Sequence, residues 1–326
     1  MGKASRVARK NEVRRARRND PTESTRATTA KVVPAPFVGR PFEGLPSESD
    51  WVALREIVPA ATATVRLRPD AVEVVRAAQG RAEDPITVLP AEVTITTVLP
   101  MAWPAIHRAD GVHFVALQSV ASSGDASRDL ALALLAVAAA PVGEPVTAIG
   151  QAAASTPRLQ ELLDVDAPFD VSVRDGFDYW IADDVTLDEE AAAALAQANE
   201  SIIPTVKMAA APSAYWCRVG ARTHLRWILP GDEDAATAAL ARLHARAALA
   251  GQDGLGAGTR FLGAFRAGGL LAPVWDLDPA LEADAYEAAL TQLVPRYQRT
   301  LADDSPLSAD ERRARAGLIS RQLTLR

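Results

Sequence analysis

The chain has a single cysteine in 326 residues, Cys217, so it forms no internal disulfide and no cysteine-rich zinc site. A reducing compartment suits that usage. No stretch is long and apolar enough to span a bilayer: the longest apolar run, residues 130–142, is 13 residues, against the roughly 20 that a crossing helix needs. The start is basic, but residues 9–18 are rich in arginine where a signal peptide would turn apolar, so a cytoplasmic protein without membrane association is expected. An Arg- and Ser/Thr-rich start also has the composition of a transit peptide. Lysine is scarce, with only four among 35 basic residues, and aromatics make up 5% of the chain. The phosphate loop GxxxxGK[ST], the zinc helix HExxH, the nucleophile elbow GxSxG and paired CxxC are all missing, which removes the familiar phosphate, zinc and serine-hydrolase chemistries.

What is present is uneven charge. The net charge is −6, yet residues 1–18 carry eight bases (Lys3, Arg6, Arg9, Lys10, Arg14, Arg15, Arg17 and Arg18) and one acid. The remainder holds 27 bases against 40 acids, a net −13. Residues 1–45 have no hydrophobic period and carry prolines at Pro34, Pro36 and Pro41, so they are read as a disordered basic arm with a linker. Such an arm neutralises phosphates without a fold, and eight full contacts give a log-log salt slope of about −6 to −7. No aromatic residue interrupts residues 1–36, so tethering rather than base stacking is expected, with RNA or the ribosome as partner.

From residue 46 the patterns are those of an α+β protein. Residues 47–50 precede a short helix carrying Trp51, Leu54 and Ile57, residues 62–68 alternate as a strand, and Pro69 opens a second helix. A grammar of strand, tight turn, strand, acids and helix then repeats. It is read at residues 94–140, at 169–199 around Asp175-Gly176, at 214–249 around Gly220, and at 259 onward around Gly268-Gly269, with the last helix interrupted at Pro295. Trp180, Trp227 and Trp275, 47 and 48 residues apart, mark the second strand of three units. The expected architecture is an antiparallel sheet with helices on one face. A first lobe covers residues 46–150, a second 151–304, and a basic C-terminal helix 305–326, opened by a Ser308/Glu311 capping box. The apolar helix near residues 130–140 is expected to lie centrally between layers.

Chemistry-bearing residues are few. Cys217 and His224 fall on neighbouring strands of one hairpin, and a thiolate activated by imidazole is a nucleophile type, although a lone cysteine beside Trp216 and Val219 also reads as a small buried hydrophobe. His113 holds the matching place in an earlier hairpin with no cysteine beside it. Asp183, Asp232, Asp276 and Asp278 follow the hairpins, where they suit helix N-caps and, if they converged, a magnesium or calcium site. The run Gly254, Gly256, Gly258 precedes a strand rather than a helix, the reverse of a dinucleotide fingerprint.

The segments MGKASR at the start, LREIVPAATA at 54–63, PSAYWCRVG at 212–220, HLRWILP at 224–230 and GTRFLGAFRAGGLLAPVWDLD at 258–278 resemble a family of actinobacterial proteins of unknown function. That resemblance brings no cofactor and no catalytic residue with it. The expectation is therefore a binding protein rather than an enzyme, with no cofactor, associated with RNA or the ribosome through its arm. A scaffold role, in which the acidic body and the C-terminal helix contact a protein partner, including an acidic one, is the first alternative. An enzyme using a carboxylate-bound divalent metal or the Cys217/His224 pair is the second.

Overall fold

The computed structural model describes residues 33–79, 88–119 and 123–320. The eight bases between Lys3 and Arg18 lie outside the described residues, as does Arg321. The folded body starts before residue 46: Phe42 is fully buried against Trp51, with ring centroids 5.7 Å apart, because the segment after Pro41 contributes to the core. The segment is tied down by Arg158 and Gln160, which donate to the Pro41 carbonyl at 2.7 and 2.9 Å. Arg158 is itself ion-paired to the fully buried Asp125.

Helix α1 (Glu48–Glu56) buries six of its nine residues. Its N-terminus has no side-chain cap: Ser47, just before it, takes a left-handed conformation (φ 50°) and its hydroxyl caps no helix N–H. Strand β1 (Ala61–Arg66), helix α2 (Ala71–Gln79), β2 (Glu92–Thr96), β3 (Ala105–His107), β4 (His113–Ala116), α3 (Ala126–Ala138), β5 (Pro145–Val146), α4 (Leu159–Leu162) and β6 (Ser172–Val173) follow. They build a six-stranded sheet in the order β5-β3-β4-β2-β1-β6. It is mixed, since β2 and β4 run parallel. Helix α3 packs on β3, β4 and β5 rather than between two layers, with Leu132 and Leu135 only half-buried on its outer side. Asp125 caps it, accepting from the Ser127 N–H at 3.1 Å.

Helix α5 (Glu189–Glu200), β7 (Thr205–Lys207), β8 (Ala214–Val219), β9 (Arg222–Trp227), α6 (Glu233–Ala245), β10 (Arg260–Ala267), β11 (Leu270–Leu277), α7 (Glu287–Leu301) and α8 (Ala309–Ser320) complete the body. Here the repeat holds twice: hairpin β8-β9 leads into α6, and hairpin β10-β11 leads into α7. All neighbours in the sheet β10-β11-β9-β8-β7 are antiparallel. One face meets α6 and α7 through Trp216, Trp227 and Trp275. The other, through Tyr215, Ile228, Phe265 and Leu270, shares a core cluster with α1 and the first sheet. The change of sheet falls between residues 173 and 205, and that shared cluster runs through both. Helix α7 continues across Pro295 instead of breaking there. The Ser308/Glu311 capping box forms, with Ser308 N–H donating to Glu311 at 2.8 Å and Glu311 N–H to the Ser308 hydroxyl at 3.3 Å.

The unit read around Asp175-Gly176 is not a hairpin. Residues 172–173 pair with β1 at the edge of the first sheet, and residues 178–180 form a 3-10 turn that contains Trp180. Gly176 lacks the positive φ that a two-residue hairpin turn demands, and the next N–H, on Phe177, goes to the Asn199 side chain at 2.8 Å. Gly268 and Gly269, by contrast, both have positive φ. A β-carbon on Gly268 would lie 2.9 Å from Val52, and one on Gly269 would lie 2.7 Å from the Gly39 carbonyl, so this hairpin tip fits under α1 only as glycine.

Helix α1 is fixed to the second sheet by a buried carboxylate. Asp50 accepts from the Tyr215 hydroxyl at 2.8 Å and from Lys207 at 2.9 Å, while Ser49 and Ser213 share a hydrogen bond of 2.8 Å alongside. Burial, and then the charge of Asp50, push the Tyr215 phenol far above its ordinary range, so it acts here only as a donor. Tyr215→Phe is expected to cost about 1–3 kcal/mol by leaving one carboxylate oxygen unpaired. Lys207→Met removes the counter-charge and is expected to cost about 3 kcal/mol or more. Urea unfolding of both variants checks the order.

Candidate functional site

Strand register brings the two residues of the thiol-imidazole reading together and adds a third. Cys217 on β8 is directly opposite His224 on β9, and His224 is directly opposite Asp276 on β11. Thr205 on β7 and Arg260 on β10 extend the row across all five strands. Directly opposed residues share a face of the sheet, so Cys217, His224 and Asp276 lie in the order that a nucleophile, a base and an orienting acid require. Asp276 was read in the sequence only as a cap or metal ligand. Its place behind His224 depends on the β9-β11 pairing, which no local signal specifies.

The electrostatics do not activate the row. Asp276 lies 3.6 Å from His224 Nδ1, too far for a hydrogen bond, and its other oxygen accepts from Arg260 at 3.2 Å. That buried imidazole nitrogen has no hydrogen-bond partner. Burial pushes the Cys217 thiol up, with Arg226 pulling the other way. Burial also pushes His224 down, with Asp276 opposing and Arg226 adding to the effect. Thiol and imidazole are both held neutral near pH 7, whereas nucleophilic attack requires a thiolate. In the earlier hairpin His113 stacks on His107, with centroids 4.0 Å apart, and is pushed down by burial and then by its neighbour's charge.

The carboxylates stay apart. Asp232 caps α6 by accepting from the Ala235 N–H at 2.8 Å, Asp278 accepts from the Ala280 N–H at 2.9 Å, and Asp183 is exposed in the loop before α5. Among the described residues no group of three or more His, Cys, Asp or Glu is placed to hold a metal ion.

Most arginines of the body are already matched to acids. Arg40 pairs with Glu48 at 2.6 Å, Arg128 and Arg158 with Asp125 at 3.2 Å each, Arg218 with Glu282 at 2.7 Å and Arg242 with Asp303 at 3.5 Å. The basic helix α8 packs on α6, and Arg315 reaches Asp234 at 2.7 Å. Among the described residues, Arg222 and Arg226, which flank His224 on β9, form no ion pair.

A cavity of about 390 Å³ lies between residues 98–100, Phe177, Trp180 and helix α5. The sequence pattern does not reveal it, because residues 177–182 read as a strand. The alanines of α5 were the only local sign of a shallow wall.

Both sheets, the carboxylate-pinned helix between them and the Cys217 row define an α+β protein whose polar groups are largely committed to one another. Residues 41–326 match the model of a family of unknown function, DUF5926, and the chain belongs to that family. No curated protein matches it, and no solved structure does. Among the described residues no helix is long and apolar enough to cross a membrane.

Two outcomes follow from the row and the histidine pair. Cys217 is expected to react with iodoacetamide at least about ten-fold more slowly in the native chain than in urea, and equal rates contradict this assignment. His113 and His224 bind protons less readily when folded than when unfolded. Stability is therefore fully present above the ordinary histidine pKa of about 6.5 and falls as the pH drops through it. Urea midpoints between about pH 7.5 and 5.5 measure that fall, and His224→Gln is expected to make it shallower.

Proposed function

We propose that the protein is a cytoplasmic binding protein tethered to RNA, in free form or within the ribosome, by its basic arm. The observation that carries the reading is the contrast in how charge is used. In the body, arginines are spent on acids of the same chain, as the pairs at Asp125, Glu48, Glu282 and Asp234 illustrate. Residues 1–18 hold eight bases with one acid beside them. Within that segment seven bases have no acid to match them, so it attracts counter-charge. A phosphate backbone supplies it at regular spacing, and release of condensed counterions favours the association.

The acidic remainder, at −13, repels phosphate and confines the contact to the arm. Lys3, Arg6, Arg9, Lys10, Arg14, Arg15, Arg17 and Arg18 then act as phosphate ligands without base specificity. Affinity depends on how many bases engage rather than on the RNA sequence.

Fluorescence anisotropy of a labelled single-stranded RNA across a salt series tests the reading. The expected log-log slope is about −6 for eight engaged bases, and a chain lacking residues 1–18 is expected to show no binding. Retention of RNA by the shortened chain, or binding indifferent to salt, overturns it.

A further inference from the structure

Helix α5 buries none of its residues. Its apolar side chains nevertheless recur at helical spacing: Ala191, Ala194, Leu195 and Ala198 fall on one face, and all four line the cavity. They border a half-open space: Ala191 and Ala194 are exposed, and Leu195 and Ala198 are half-buried. The helix is tied to the facing turn by Asn199, whose side-chain carbonyl accepts the Phe177 N–H at 2.8 Å. On the opposite side, Trp180 is half-buried beside Leu99, which belongs to a small satellite core. Tyr179 braces that floor by donating to the Val98 carbonyl at 2.5 Å. Arg108 holds the turn from outside the cavity, donating to the carbonyls of Tyr179 and Ile181 at 2.9 and 3.2 Å.

The lining of this space is chemically uniform. Its nine lining residues are apolar or aromatic, with no acid, base, amide or hydroxyl among them, and the indole N–H of Trp180 is their one polar side-chain group. A volume of about 390 Å³ is within the range of small-molecule sites. A charged ligand would lose hydration there with no side chain to pair it, whereas an apolar one removes both its own surface and the wall's from water. The alanines of α5 keep that wall shallow, and the rings of Trp180 and Phe177 offer flat faces opposite.

We propose that this cavity is a binding site for a small, neutral, apolar molecule of fused-ring aromatic type, held between α5 and the Phe177-Trp180 turn. The site is independent of the arm. It uses burial of apolar surface rather than charge, so its occupancy does not depend on RNA.

The test is a titration of the full chain with N-phenyl-1-naphthylamine, a neutral fluorophore whose emission rises in apolar surroundings. Saturable binding at one site per chain is expected, unchanged by added salt. Ala194→Phe fills the space from the helix side and is expected to weaken binding by at least about ten-fold. Ala192→Phe, on an exposed position outside the wall, is expected to leave it unchanged. Circular dichroism and thermal midpoints establish that both variants fold, with Ala191→Leu as a second filling variant should Ala194→Phe fail to do so. Emission that never saturates, or filled variants that bind as tightly as the original chain, overturns the proposal.

Discussion

The body depends on burying one short helix between two sheets. Helix α1 presents Trp51 to the first sheet's side, where it stacks on Phe169 at 4.3 Å, and the Gln118 side chain donates to the carbonyls of Leu54 and, just past the helix, Val58. To the second sheet it presents Asp50 and Ser49. A carboxylate in that position is tolerable only if its oxygens are paired, and the demand propagates. Tyr215 must face α1, which places Trp216 on the opposite side, toward α6 and α7. By the same alternation Cys217 and the row behind it lie on the α1 side of the sheet. The glycine tip of β10-β11 completes the seat, because nothing larger fits beneath Val52.

That arrangement explains why the polar groups of the body offer little to a charged ligand. Arg40, Arg128, Arg158 and Lys207 each neutralise a carboxylate that folding has buried or half-buried. The two proposed binding features are correspondingly different in kind. In the proposed reading the arm works by long-range attraction that salt screens, and the cavity by apolar contact that salt hardly touches. They can be lost separately, and neither requires the thiol-imidazole row to be active.

Much of the fold was legible wherever local chemistry specifies it. Gly220 and Gly268-Gly269 marked true hairpin tips, Asp232 marked a true N-cap, and the Ser308/Glu311 box formed as its spacing indicates. The failure at residues 169–182 is equally instructive. Its alternation and Asp-Gly pair look like those of a hairpin, but the segment finds a better partner in the edge of β1, far away in sequence. Of the candidate site, the Cys217/His224 adjacency was legible from one hairpin. The alignment of Asp276 was not, because it rests on pairing between hairpins. The cavity was also hidden, since a void is a property of how distant segments meet and leaves only an alanine-rich helix in the sequence.

The most direct test of the tethering account is to watch the full chain residue by residue as RNA is added, using backbone amide resonances of the isotopically labelled protein. The account predicts that shifts are confined to residues 1–18 and reverse on addition of salt, with the amides of residues 41–326 unmoved. Shifts concentrated in the body, for instance around Arg222 and Arg226 on β9, would contradict it.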